Sequence, residues 1–252
     1  MENVNHPVGN FKIYLIKKFS LFLSSSILFF LCFILRINKN ESEIIISNSF
    51  FAPWKTNKIF FNLFKKIKNY TLLDVRRLYT LWFISEQLKN VNGVIIDVGC
   101  MKGGAGFLMA TNNNKNETYL IDTFSGYIDA EKFYKYDAFN FHDYDSVRNK
   151  IKKLRLKNTK VIKGTFPNDF IKILKKKKIK LCHLDVNTYN SSLKSFHFIK
   201  DKIIKGGYIV FDDFGMHGAD GIKKLINQIQ KTYINKFHFI FNFQGQCILI
   251  KK

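Results

Sequence analysis

The residues of this chain best suited to chemistry are three carboxylates and a glycine-rich turn. One apolar run ends in His183-Leu184-Asp185-Val186-Asn187, and a later one ends in Phe211-Asp212-Asp213-Phe214. Both runs read as buried strands, and strand ends at the carboxyl edge of an open α/β sheet converge on a ligand crevice. Three carboxylates gathered there repel one another unless a cation lies between them. Hard oxygen donors suit Mg2+ or another divalent ion, so Asp185, Asp212 and Asp213 are the candidate metal ligands. A plainer reading, in which Asp212 or Asp213 only caps the next turn, accounts for one carboxylate better than for three.

Upstream, a strand ends in Asp97-Val98-Gly99 and runs into Cys100-Met101-Lys102-Gly103-Gly104. Glycines here let the backbone turn sharply and approach a ligand, while the following helix aims its amides at it. The spacing Gly-x-x-x-Gly-Gly is not the Gly-x-Gly-x-x-Gly of nicotinamide binders. Asp122 closes the next strand, 23 residues after Gly99, where a carboxylate can take both ribose hydroxyls of an adenosine ligand. Gly99, Gly103, Gly104 and Asp122 together point to a nucleoside cofactor.

The scaffold that must position these groups is legible as alternating helical and strand patterns from Thr71 onward, the pattern of a parallel sheet with crossover helices. Asp74 to Lys89 reads as a helix with Leu78, Leu81, Trp82, Ile84 and Leu88 apolar. Strands are expected at 93–98, 118–122, 160–163, 179–185 and 207–212. The tail adds 237–243 and 247–251 around Gly245, a connection short enough only for an antiparallel hairpin.

At 252 residues the chain suits one α/β domain plus an appendage. We expect a hydrophobic, basic helical appendage over 1–69 and the cofactor-binding domain over 70–252. Within the appendage, Phe19 to Leu35 is uncharged, with Lys17 and Lys18 before it and Arg36 after it. A span takes roughly 17–25 apolar residues, so this run sits at the lower limit, and no small-x-small cleavage site follows. A short anchor, an in-plane interfacial helix and a helix packed on the domain or on a second subunit stay open. Membrane association is favoured, with the catalytic part in the cytoplasm on the cytosolic face, and a homo-oligomer is compatible.

The formal charge of +22, from 41 basic and 19 acidic residues, suits nucleic acid, anionic lipid or an acidic substrate. Lysines are spread throughout, and the run Lys175 to Lys178 falls where a helix would end, so a solvated face is favoured over a nucleic-acid patch. Cys32, Cys100, Cys182 and Cys247 are far apart, which argues against a zinc site or a disulfide framework and fits a reducing compartment.

Taken in order, a set of segments between about Tyr70 and Gln230 resembles the macrocin O-methyltransferase (TylF-type) family. They are Tyr70-Thr71, Arg77-Leu78-Tyr79-Thr80-Leu81, Asp97-Val98-Gly99 through Gly104, Asp122-Thr123-Phe124-Ser125-Gly126, Leu184 through Ser192, and Gly206-Gly207 through Gly215. The resemblance implies a Rossmann-like α/β class I methyltransferase fold, mostly a parallel seven-stranded sheet with a C-terminal antiparallel hairpin, carrying an N-terminal hydrophobic helix in this chain. It implies S-adenosylmethionine as donor, held by Thr71, Asp97, Gly99, Gly103, Gly104, Asp122 and Ser125, with Asp97 beside its amino-acid end. It also implies a divalent metal on Asp185, Asp212 and Asp213, and transfer to a hydroxyl of a sugar, glycan or related small molecule.

Two departures from the family pattern bear on mechanism. Asn187 stands where the family often has an acid suited to take the hydroxyl proton, and an amide cannot be that base. Asp97 stands where the family often has Glu. The proton then falls to another group, His217 or a water held by the metal, so Asp185, Asn187 and His217 are the candidate catalytic residues. His183 shares a strand face with Asp185 and reads as core packing. The alternatives are a degenerate, membrane-tethered binding protein that keeps the cofactor fold without methyl transfer, and a nicotinamide-dependent oxidoreductase. The turn spacing and the final hairpin disfavour the second, and a nucleic-acid methyltransferase rests on charge alone.

Overall fold

The computed structural model describes residues 11–35, 52–127, 143–216 and 218–252, so the candidate catalytic residue His217 lies outside the described residues. The chain divides into two units, Met1–Pro53 and Trp54–Lys252. In the first, α1 (Phe11–Leu35) begins well before the uncharged run, and Phe19, Phe22, Phe30 and Phe33 are exposed on it. Among the described residues no helix is long and apolar enough to cross a membrane.

The second unit starts at Trp54 instead of the expected residue 70. It takes in α2 (Pro53–Thr56) from Trp54 on, and α3 (Lys58–Ile67) is built into its core. Phe60, Leu63 and Ile67 recur at helical spacing and are buried, in one apolar cluster with Leu81 and Trp82 of α4 (Val75–Gln87) and Phe107 of α5 (Gly104–Asn112). Asn57 starts α3 by accepting from the Phe60 amide at 3.0 Å.

The sheet has seven strands in the order β3-β2-β1-β4-β5-β7-β6. These are β1 (Val94–Val98), β2 (Thr118–Asp122), β3 (Thr159–Lys163), β4 (Ile179–Leu184), β5 (Ile203–Phe211), β6 (Phe237–Asn242) and β7 (Gln246–Lys251). β1 to β5 pair in parallel, and β7 runs antiparallel to both β5 and β6. All five residues of β1 and all six of β4 are buried, as expected where helices cover both faces of a parallel sheet. The face opposite α3, α4, α5 and α6 (Tyr144–Lys153) is covered by three further helices. Leu174 of α7 (Ile171–Leu174), Phe196 and Ile199 of α8 (Tyr189–Ile199), and Leu225 and Ile226 of α9 (Asp220–Tyr233) share one cluster there. β5 begins earlier than the sequence pattern suggests: Ile203 pairs with Ile179, and the register shifts before Tyr208 pairs with Leu181.

Lys180 is a fully buried cation in β4. Its Nζ donates to Leu88 O and Val91 O at 2.9 Å and to Asn113 Oδ1 at 2.7 Å, tying the ends of α4 and α5 to the amino edge of the sheet. Burial pushes its ammonium down to about 8, and three acceptors hold the protonated form against that cost. Lys180→Met should therefore lower unfolding free energy by about 2–3 kcal/mol, since it leaves buried carbonyls without donors. A urea midpoint unchanged from wild type would remove the pinning role.

Candidate active site

The carboxyl ends of β1, β2 and β4 open on a cavity of about 290 Å³. Its floor exists because Gly99 has no side chain. Gly99 sits at φ +81°, and a Cβ there would lie 2.0 Å from Asp185 O, so the turn after β1 can touch the end of β4 only through glycine. Gly104, the first residue of α5, meets Tyr70 O in the same way, with a Cβ falling 2.6 Å from it. Gly103 precedes α5 as its N-cap in the left-handed region.

Asp122 closes β2 and organises the loops on either side of the cavity. Its Oδ2 accepts from Met101 N at 2.7 Å and its Oδ1 from Phe124 N at 2.8 Å. Burial raises its carboxyl above the usual range against those two bonds. Asp97 holds His183 Nδ1 at 2.7 Å through Oδ1, while its buried Oδ2 has no partner and Asp97 lines the cavity. Thr71 lines the cavity too, and its Oγ1 accepts from Leu73 N at 3.0 Å. Ser125 is exposed and bonds within its own turn through Thr123.

Across the cavity the three expected carboxylates are gathered, and two cations that sequence reading passed over come with them. Asp74 caps α4 by accepting from the amides of Arg76 and Arg77, and its Oδ2 lies 3.2 Å from Arg77 Nε. So oriented, Arg77 Nη1 reaches Asp212 Oδ1 at 2.5 Å and Asp213 Oδ1 at 2.9 Å. His183 bridges the two neighbouring strands: Nε2 lies 3.0 Å from Asp212 Oδ2, which also accepts from Gln246 Nε2 at 3.2 Å. His183 is thus not the inert core residue expected from its place in β4. Its signal was its face shared with Asp185; Arg77's was a lone charge on the apolar face of a helix.

The electrostatics follow from this packing. Burial works against a charged His183, but hydrogen bonds to Asp212 and Asp97 outweigh it and hold the ring's pKa well above the ordinary value. Burial would likewise raise Asp212, yet His183 and Arg77 keep it below the usual range. For Asp185 the same two cations give too little relief. Burial and the charges of Asp212 and Asp213 push its carboxyl well up, and Asp213 is raised by burial and by Asp212.

Asn187, at φ +58°, sits among these acids as a bridge. With its amide nitrogen facing them, it donates to Asp213 Oδ2 at 2.6 Å and Asp185 Oδ1 at 3.1 Å, and its oxygen accepts from Tyr127 OH at 2.8 Å. A carboxylate there would add repulsion where the amide makes hydrogen bonds. Ligand atoms of His183, Asp185 and Asp212 all lie within 4.8 Å of one another, a set that shares Asp185 and Asp212 with the expected one and contains His183 where Asp213 was expected. Asp213 is instead engaged by Arg77 and Asn187.

The sequence model of the macrocin-O-methyltransferase (TylF) family matches residues 66–234. No curated protein matches the chain in sequence. Among solved structures, the O-methyltransferase NovP is similar at 18% identity and TM-score 0.59, over 73% of this chain and 82% of that one. The calicheamicin methyltransferase CalS11 is similar at 14% identity and TM-score 0.59, over 81% and 87% of the two chains. Cofactor-bound Rv0187 from MTB is similar at 11% identity and TM-score 0.53, over 71% and 81%. At these identities the likeness establishes the fold.

Proposed function

We propose, since the chain belongs to the macrocin-O-methyltransferase (TylF) family of S-adenosylmethionine-dependent methyltransferases, that it methylates a hydroxyl of a sugar or related small molecule with the help of a divalent metal. The observation that carries this reading is the pairing, across one cavity, of a cofactor side with an unpartnered buried carboxylate oxygen on Asp97 and an acceptor side dense in carboxylates. The names of two structural neighbours support O-methyl transfer, and one of them supports the sugar acceptor: NovP is an O-methyltransferase, and CalS11 is described as a TDP-rhamnose 3'-O-methyltransferase. Incubating the protein with S-adenosylmethionine and a panel of nucleotide-linked sugars, and reading methylated products by mass spectrometry, tests it. Methylation of none of them, alongside methylation of a protein or RNA, would replace the acceptor class.

S-adenosylmethionine supplies an electrophilic methyl group on sulfonium. Asp97 Oδ2 suits its amino group, and Asp122 suits its ribose hydroxyls, with remaining lone pairs beside the two amides it already accepts from. Asp185, lining the cavity, is the carboxylate best placed to accept the acceptor's proton. Asn187 then acts by positioning, tying Tyr127 to the acidic pair. In this cofactor role, Asp122→Ala should weaken S-adenosylhomocysteine by about 1.5–3 kcal/mol, the worth of hydrogen bonds to a charged group. Undiminished calorimetric affinity would take Asp122 out of contact with the ribose.

The donor set fits a divalent ion. Asp97, Asp185, Asp212 and Asp213 face only Arg77 and His183 as cations among the described residues of this cluster, and the surplus negative charge falls on Asp185. Asp185 and Asp213 would hold the ion, joined by Asp212 on release of one of the four donors it accepts from. His183, bonded through both ring nitrogens, stays outside the ligand set. The ion when bound would lower the pKa of a neighbouring hydroxyl. Millimolar Mg2+ or Mn2+ should then raise thermal stability by mass action, about 2.7 kcal/mol at a hundredfold excess over the dissociation constant. Asp213→Asn should abolish the shift and leave S-adenosylhomocysteine affinity nearly intact. A melting temperature indifferent to both metals would make the site metal-free, neutralised by Arg77 and His183 alone. The exposed phenylalanines of α1 support seating that helix against an apolar partner such as a membrane surface.

A further inference from the structure

Lysines collect at the edge of the sheet opposite the cavity, where the amino ends of β4 and β5 meet the start of β6 and the end of β7. Lys202 Nζ donates to Lys175 O, and Lys251 Nζ to Lys200 O, both at 3.1 Å. Lys252 N donates to Lys236 O at 3.1 Å, and the ammonium groups of Lys200 and Lys236 each lie 5.9 Å from the Tyr233 ring. Six lysines from four separate segments thus form one continuous surface, each exposed or half-buried. Among the described ion pairs, the acid within it is Asp201, bonded to Lys200. The chain as a whole has 19 acidic to 41 basic residues, about one to two, against one to six here. What sets this surface apart is convergence, because the sheet brings lysines from four separate segments to one edge.

We propose that this edge docks on an anionic phospholipid surface. Lysines that share one surface act together on a charged headgroup layer, an attraction that falls off within a Debye length, about 8 Å at physiological salt. A single-stranded nucleic acid is a poorer match, because it needs open aromatic faces. Here Phe237 is buried with Lys251 over it, and Phe198 and Tyr233 are covered by Lys202 and by Lys200 with Lys236. Stable peripheral attachment takes two weak signals, and α1 supplies the apolar one; in this respect the proposal rests on the reading of α1 given above. Strands of this length set the cavity about 17–20 Å from the docked edge.

The test uses the full chain with vesicles of phosphatidylcholine, alone or with a third of phosphatidylserine, read by sedimentation. Phosphatidylserine should raise partitioning about tenfold or more, an increment that falls with added salt. Lys200→Gln, Lys202→Gln, Lys236→Gln and Lys251→Gln together should remove most of it, while Arg at the same four positions should keep it. S-adenosylhomocysteine affinity should be unchanged in both variants, because its site lies at the other edge. An increment absent from the wild type, or intact in the Gln variant, overturns the proposal. So does salt-sensitive binding of single-stranded RNA without a phosphatidylserine increment. Binding to phosphatidylcholine alone reports on α1, so the two readings fail separately.

Discussion

Asp212→Asn should destabilise the fold by about 3–5 kcal/mol, the cost of breaking a buried charge pair from one side, and should stop methyl transfer with it. Asp212 is the point at which four donors meet. Arg77 Nη1 and Asp213 N reach one of its oxygens, and His183 Nε2 and Gln246 Nε2 reach the other. An amide offers one acceptor and one donor group, so it must turn its NH2 towards one of these sets of donors. Arg77 and His183 each lose one of the carboxylates that balance them; Arg77 keeps Asp213 and Asp74, and His183 keeps Asp97. The pH dependence separates this from simple loss of packing. His183 has its pKa raised in the fold, so its contribution is complete below the ordinary histidine value and is lost as pH rises through the raised one. Without Asp212, that loss should be smaller and complete at lower pH than in the wild type. Equal stability of the two proteins from pH 6 to about pH 9 would show that Asp212 carries no such weight.

Gly99→Ala should be as damaging, by about 3–5 kcal/mol from left-handed strain and overpacking together, and should abolish S-adenosylhomocysteine binding. The new methyl group would sit 2.0 Å from Asp185 O, and Asp185 N is itself bonded to Val98 O at 2.9 Å. Relief requires the ends of β1 and β4 to part, which displaces the cavity floor. Gly215 is the control, since it has the same φ of +81° but nothing among the described residues within 4 Å of where a Cβ would lie. Gly215→Ala should cost only the strain, about 1–2 kcal/mol. Similar losses at both positions, measured by denaturation, would attribute the effect at Gly99 to backbone strain alone.

Much of the fold was legible because it is written locally. Ile95 and Ile96 in a short apolar run, Gly245 between two such runs, and Asp122 at a strand end each report through neighbours in the chain. The edges were less legible. α3 looked like part of the appendage because its pattern alone does not say which surface buries Phe60. β5 looked shorter because Lys205-Gly206-Gly207 resembles an introductory turn and not an irregularity within a strand.

The amino-acid sequence by itself determined the strand inventory, the glycine turn after β1 and the presence of Asp97, Asp122, Asp185, Asp212 and Asp213 at strand ends. Spacing and residue type suffice for these, since hydrophobic period and positive-φ positions are properties of a few consecutive residues. Only the tertiary structure decided what those carboxylates face. The register that sets Asp97 opposite His183 across β1 and β4 comes from how two distant strands align. Arg77 and Asp212, 135 residues apart, meet only because α4 packs its apolar face on the sheet and its Asp74 cap turns the guanidinium inward. Charge balance in a buried cluster is a sum over long-range neighbours, and no local pattern in the chain encodes it.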